Sequence, residues 1–226
     1  MRSVYIRGPR QPLEDETRTG VNFVDVLFAI VVGKILDLSV HEGVVPLAGK
    51  SQLVLAAFVT VTSWVGYHNS LNRAGYFMRP FSNLPFWQFS IDILLVYVYF
   101  LLAVTAEHPR AAAKSGAGGD ARPEAILVAV MFVLYVLWDA IAFAMRKSAL
   151  YERRPITRDV QARRLVSLLG AVVTIITATT VVALQPHSTA SVITVDAVLL
   201  VTTVLYRLAK EWVTPLPPPR PLPTPT

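Results

Sequence analysis

The stretch VNFVDVLFAIVVGKILDLSVH, residues 21–41, decides the fold that the sequence predicts. A helix of about 20 apolar residues, rising about 1.5 Å per residue, crosses the roughly 30 Å core of a bilayer. Residues 21–41 have that length, yet they include Asp25, Lys34 and Asp37. A charge at this depth costs at least ~2.5 kcal/mol, so such residues usually face other helices or water. The stretch therefore predicts a membrane helix whose charged residues are functional candidates.

The two sides of this helix differ in chemistry. At about 100° per residue, one side is apolar at its N-terminal end and charged at its C-terminal end; it contains Phe23, Leu27, Ile30, Lys34, Asp37 and His41. The opposite side carries a single carboxylate, Asp25, followed by small and apolar residues. Both sides are expected to meet something other than lipid.

The whole chain has the composition of a polytopic membrane protein. Of its 226 residues 54% are hydrophobic and 16% are charged, and the apolar residues form long blocks. We predict an all-α bundle of six transmembrane helices, with a cytoplasmic tail over 1–20, a membrane domain over 21–212 and a Pro-rich cytoplasmic tail over 213–226. The predicted helices cover 21–41, 51–70, 85–105, 124–145, 165–184 and 190–209.

The distribution of basic residues predicts the orientation. Sixteen of the 21 Lys and Arg residues fall on the side of the two termini, four fall on the opposite side, and Lys34 lies within the membrane. Because basic residues concentrate on the cytoplasmic side, both termini are predicted to be cytoplasmic. The net charge of +6 follows from this topology, and we expect no nucleic-acid partner.

Four polar residues are predicted to form one layer near the cytoplasmic boundary. Counting residues from the helix ends places Asp25, His68, Asp92 and Asp139 within roughly 10 Å of that boundary. One interpretation is a packing network that includes at least one contact between helices. The other is a proton or cation site, because neighbouring carboxylates disfavour one another's ionisation.

Lys34 and Asp196 come out at one depth in the outer half of the membrane. Lys34 is therefore predicted to pair with Asp196, or with Asp37 three residues away on its own helix. A lysine that changes protonation during transport is the alternative.

The sequence contains none of the common catalytic motifs. HExxH, GxSxG, a P-loop and a Gly-rich dinucleotide fingerprint are all missing, and there is no cysteine. We expect neither an enzyme nor a cofactor, and too few histidines lie at membrane depth for a histidine metal site. A carboxylate site for a hard cation stays open.

The start of the first helix resembles the transmembrane protein 175 family of potassium channels, found in endolysosomes and bacteria. That family opens its first helix with R-x-x-x-F-S-D and a run such as AVFAI; here Thr19, Phe23, Val24 and Asp25 precede VLFAI. The family also places Trp and His late in the second helix, which Trp64 and His68 match, with Asn69 following.

The resemblance implies a homotetramer in a bacterial-type plasma membrane, selective for potassium or another monovalent cation. It also implies that the first helix lines the pore, with Ile30 at the constriction. An apolar constriction followed by carboxylates is independently a plausible gate that works by dewetting. The alternatives are a small proton-coupled transporter that uses the inner carboxylate layer, and a non-conducting anchor or sensor.

Overall fold

The structure is a computed structural model that describes residues 11–40, 47–71, 83–106, 120–147, 158–186 and 188–213. These residues form six helices: α1 Gln11–Val40, α2 Leu47–Leu71, α3 Leu84–Thr105, α4 Arg122–Lys147, α5 Arg158–Leu184 and α6 Thr189–Trp212. Predictions about His41, most of the loop between α3 and α4, and the Pro-rich tail from residue 214 lie outside the described residues.

The chain is an integral membrane protein. Four helices, α3 to α6, are long and apolar enough to cross a bilayer. The remaining two differ from these by their polar content: α1 carries Asp25, Lys34 and Asp37 within its apolar part, and α2 has polar residues at both ends.

The helices occupy the predicted places, and α1 and α5 begin earliest relative to the prediction. α1 starts ten residues before position 21, in a segment that contains Pro12 and three consecutive acidic residues. Proline near the first position and negative charge in the first turns both suit a helix N-terminus. α5 starts at Arg158 rather than at 165, so the end of the predicted basic loop is helical.

Local interactions fix several helix ends. Pro85 occupies the first turn of α3, and the Asp120 carboxylate accepts a hydrogen bond of 2.9 Å from the Arg122 backbone N–H where α4 begins. Gln185, after the last residue of α5, has a φ of 47°, the left-handed conformation in which helices often terminate. Ser188 then caps α6 by accepting a bond from the Ser191 backbone N–H.

Consecutive helices run in opposite directions. The N-terminal half of α1 meets the C-terminal end of α2 through Asp25 and His68. The C-terminal half of α4 meets the N-terminal half of α5 through Asp139 and Ser167. In contrast, Ser63 near the end of α2 meets Tyr135 in α4 and Arg207 near the end of α6. Thus α2, α4 and α6 are parallel to one another and antiparallel to their sequence neighbours.

α1 and α5 lie at opposite edges of the bundle. α1 packs mainly against α2 and α3, whereas α5 packs against α4 and α6; α2 contacts α6, and α3 contacts α4. The buried face of α1 has apolar side chains spaced three and four residues apart, as a helix packed on one side requires; they are Val24, Phe28, Val31, Ile35 and Leu38.

Candidate functional site

The predicted pore-lining side of α1 is only partly covered by its own bundle, where Phe23 meets Phe89 of α3 and Leu27 packs against the core. Phe23 and Ile30 are 49% and 54% exposed, and Asp37 is exposed as well. Leu27 and Lys34 are half-buried at the margin of this side. The stripe of apolar then charged residues is therefore available to lipid or to another molecule.

Asp25 links α1 to α2. Its Oδ1 accepts a hydrogen bond of 3.1 Å from the Trp64 indole Nε1–H and lies 2.9 Å from His68 Nε2. The rings of Trp64 and His68 meet edge to face, with centroids 4.8 Å apart. The predicted contact between helices is present here. The Asp25 and His68 side chains are 35% and 38% exposed, so this cluster lies at the edge of the bundle.

Asp92 belongs to the neighbourhood of the same cluster. It is buried in α3, and both Asp92 and Asp25 act electrostatically on the phenol of Tyr67 in α2. Tyr67 also packs its ring against Phe28 of α1, with centroids 6.2 Å apart. Asn69 is exposed near the end of α2. The first three helices thus share one polar neighbourhood.

Asp139 belongs to a second cluster, formed by α4, α5 and α6. Its Oδ2 accepts hydrogen bonds from Ser167 Oγ at 2.5 Å and from Lys210 Nζ at 3.0 Å. The Asp139 and Lys210 side chains are both largely buried. A cavity of about 30 Å³, large enough for a water molecule, adjoins Asp139 and Arg164. The single layer predicted from depth is therefore divided between two clusters, because depth along a helix carries no information about the side it faces.

A half-buried arginine joins this second cluster to α2 and α3. Arg207 Nη2 donates hydrogen bonds to Ser63 Oγ at 2.5 Å and to Tyr135 Oη at 2.7 Å. The Tyr135 hydroxyl also lies 2.9 Å from the Tyr99 hydroxyl. Gly66 makes room for the guanidinium, since a Cβ on this glycine would lie 2.8 Å from Arg207 Nη1. Four helices, α2, α3, α4 and α6, meet around this group.

A third cluster lies at the opposite end of the bundle. Asp196 of α6 accepts a hydrogen bond from Ser51 of α2 and faces Glu124 at the start of α4. Gln52 of α2 also faces Glu124. The groups that act on Asp196 are thus Ser51 and Glu124, and its pairing with Lys34 stays a prediction.

Sequence reasoning missed most residues of these clusters. Glu124, Gln52 and Ser51 lie near the first turns of helices, where polar residues are usually solvated. Arg207 and Lys210 follow the last apolar residues of α6 and resemble ordinary cytoplasmic flanking charges. A useful signal was the spacing of Arg207 and Lys210, which places both on one face of the helix together with Tyr206.

No protein-family model matches the chain, and no curated protein or solved structure matches it significantly. The likeness to the transmembrane protein 175 family consequently depends on the residues of α1 and α2 quoted above.

Proposed function

We propose that this protein is an oligomeric cation channel in which α1 lines the pore. All six helices cross the membrane in this proposal, and both termini are cytoplasmic. The copy number of four and the preference for potassium are taken from the resemblance at α1. The physical argument for a pathway along α1 stands apart from that resemblance.

The alternation of helix direction supports six crossings. Since α2, α4 and α6 are parallel and each sequence neighbour is antiparallel, an even number of aligned helices returns the chain to its starting side. The basic residues agree with this arrangement, because 16 of 21 occur on the side of the termini. Arg163, Arg207 and Lys210 lie at that end of the bundle, where Arg163 and Asp139 both act on Lys210.

The position of α1 carries the proposal of a pore. This helix lies at the edge of the bundle, and its uncovered side bears Phe23, Ile30 and Asp37. A membrane helix that carries an exposed acidic residue on the side facing away from its own bundle is costly to leave in lipid. Several copies arranged around an axis would cover this side and line a pathway with it.

The chemistry of the stripe suits a cation gate. Ile30 lies ten residues before the end of α1 at Val40, or about 15 Å along the helix. A ring of isoleucine side chains is a hydrophobic constriction that closes by losing its water. Asp37, two turns further along, would contribute negative potential that concentrates cations at one mouth.

Flux measurements test conduction. Purified protein in liposomes should pass potassium faster than sodium, and Ile30→Ala should raise the flux while Ile30→Trp should lower it. Val172 is a matched control because it is a similarly exposed β-branched residue on α5, at the opposite edge of the bundle. Val172→Ala and Val172→Trp should leave the flux unchanged. A complete lack of flux under any gradient or voltage would refute the channel.

Cross-linking tests the assembly separately. The chain has no cysteine, so Ile30→Cys introduces a single thiol at the proposed constriction. Oxidation should join copies through this residue, whereas Val172→Cys should remain monomeric on a denaturing gel. The reverse result would place α5 at the axis and α1 in lipid. For topology, an external thiol reagent should label Ala112→Cys and should leave Ala149→Cys unlabelled.

A further inference from the structure

Two acidic residues meet in the interior at the end of the bundle where α4 begins. Glu124 is 0% exposed and Asp196 is 3% exposed, and the two carboxyl groups lie close enough to act on each other. The surrounding side chains come from α2: Gln52, 1% exposed, faces Glu124, and Ser51 donates to Asp196. Three parallel helices therefore converge on one pair of carboxyl groups.

Several oxygen atoms at this point lack a conventional hydrogen-bond donor. They are both carboxyl oxygens of Glu124, Oδ1 of Asp196 and the side-chain oxygen of Gln52. A buried acceptor without a donor is costly, and a buried carboxylate without one is more so. Gln52 is a separate indication of a bound positive species, because it is a neutral, buried residue whose side chain faces Glu124 and whose own oxygen has no donor.

None of the side chains that act electrostatically on the pair is basic. The groups that act on Glu124 come from α6 and α2, while α3 and α5, which also pack against α4, contribute no titratable group. Those that act on Asp196 are Glu124 and Ser51. Arg122, the basic residue nearest to Glu124 in sequence, forms a two-pronged ion pair with Asp120, at 2.8 Å for Nη2 and Oδ2.

We infer that Glu124, Asp196 and Gln52 form a proton-binding site in which the two carboxyl groups share one proton. Two carboxylates are acceptors only, so their contact is a hydrogen bond when one of them is protonated. Asp196 already accepts from Ser51 and is the carboxylate. Glu124 is fully buried and has the Gln52 amide, a neutral group, as its neighbouring donor, so it is the acid and donates its proton to Asp196.

Proton release would change the charge of this pair from one negative charge to two. Two carboxylates in contact repel each other strongly in a site of low polarity. This repulsion acts between α4 and α6 at the end of the bundle where the loop after α3 enters α4. The protonated pair thus holds α4 and α6 together, and loss of the proton weakens this contact. This site does not depend on whether the protein conducts ions.

Infrared spectroscopy of the full-length protein in nanodiscs tests the site directly. The difference spectrum between wild type and Glu124→Gln at neutral pH should contain the C=O band of a protonated carboxylic acid. Glutamine has the shape of protonated glutamate and can donate to Asp196, so the fold should survive. Asp196→Asn should keep the band at a shifted frequency, because Glu124 remains protonated. Asp120→Asn, the control at the neighbouring exposed pair, should leave the band unchanged.

The pH dependence of stability provides the second readout. Above the usual titration range of glutamate, near pH 4.3, the folded wild type holds one proton that the unfolded chain has lost. Its folding equilibrium constant should therefore fall about tenfold per pH unit relative to that of Glu124→Gln until the folded protein releases the proton. Asp120→Asn should follow the wild type.

Specific results would overturn the inference. A spectrum without the Glu124-dependent band shows that both groups are ionised. If the stability of the wild type then rises with added Ca²⁺ or Na⁺ at constant pH, the oxygen atoms hold a metal cation instead. Loss of the band in Asp196→Asn with retention in Glu124→Gln would assign the proton to Asp196. Should Glu124→Gln not fold, the Asp196→Asn spectrum and the pH slope of the wild type still decide the question.

Discussion

Gly170→Ala is expected to destabilise the bundle by wedging α4 and α5 apart. A Cβ at residue 170 would lie 2.5 Å from Phe132 Cε1, 2.7 Å from Phe132 Cδ1 and 3.3 Å from Tyr206 Cδ2. Favourable contacts between carbon atoms lie near 3.5–4.0 Å, so Phe132 must move by about 1 Å. Its ring is fully buried between Tyr135 and Tyr206, at centroid distances of 5.7 and 4.8 Å. Overpacking of this kind costs about 1–3 kcal/mol.

The control is Gly33→Ala, at which the added Cβ meets nothing within 4 Å in the chain. Thermal unfolding of detergent-solubilised protein should show a clear loss of stability for Gly170→Ala and little change in stability for Gly33→Ala. Phe132→Leu removes the clashing ring atoms, so the double variant Gly170→Ala/Phe132→Leu should be more stable than the sum of the two single losses predicts. If Gly170→Ala is as stable as wild type, or if the two losses simply add, then α4 and α5 are not packed as described.

Three further substitutions examine the polar clusters through thermal unfolding in detergent. Lys210→Met leaves the buried Asp139 carboxylate without its cation and should lower the free energy of unfolding by roughly 3–5 kcal/mol. The double variant Lys210→Met/Asp139→Asn should lose less stability, and an equal loss in both would argue against the ion pair. Tyr135→Phe removes the hydroxyl shared by Arg207, Ser63 and Tyr99, and should lower the free energy of unfolding by about 1–2 kcal/mol. The control Tyr97→Phe, on an exposed side chain of α3, should leave stability unchanged. Asp25→Asn should change stability by less than about 1 kcal/mol, because its pair with His68 is more than a third exposed; a loss as large as that of Lys210→Met would contradict this exposure.

The number, order and approximate bounds of the helices could be predicted because each depends on local composition. Apolar blocks of bilayer length recur along the sequence, and Pro85 marks the first turn of α3. The contact between Asp25 and His68 was also accessible, since both residues come out at one depth. Asp139 shares that depth but faces Lys210, because the rotation of α4 is set by packing of Phe132 and Tyr135 against Tyr206.

Residues whose roles depend on distant partners could not be recognised from local sequence. Glu124 follows Pro123 in the first turn of α4, where an acidic residue is favourable for any helix. Its burial becomes visible only when α2 and α6 bring Gln52 and Asp196 against it. Gly66 and Gly170 are likewise ordinary in the sequence, and their importance comes from the side chains of Arg207 and Phe132 that occupy the space beside them.

The polar contacts join α2, α4, α5 and α6 more strongly to one another than to α1. At one end, Arg207 and Lys210 of α6 form hydrogen bonds with α2 and α4, and Ser167 of α5 joins them through Asp139. At the other end, Glu124 and Asp196 connect α2, α4 and α6. None of the hydrogen bonds named above for these two sets comes from α1. It is held by an apolar face and by the partly exposed contact of Asp25 with Trp64 and His68. Because these hydrogen bonds join the other helices, α1 can tilt or rotate against α2 and α3 without breaking them. A pore-lining helix needs this freedom in order to gate.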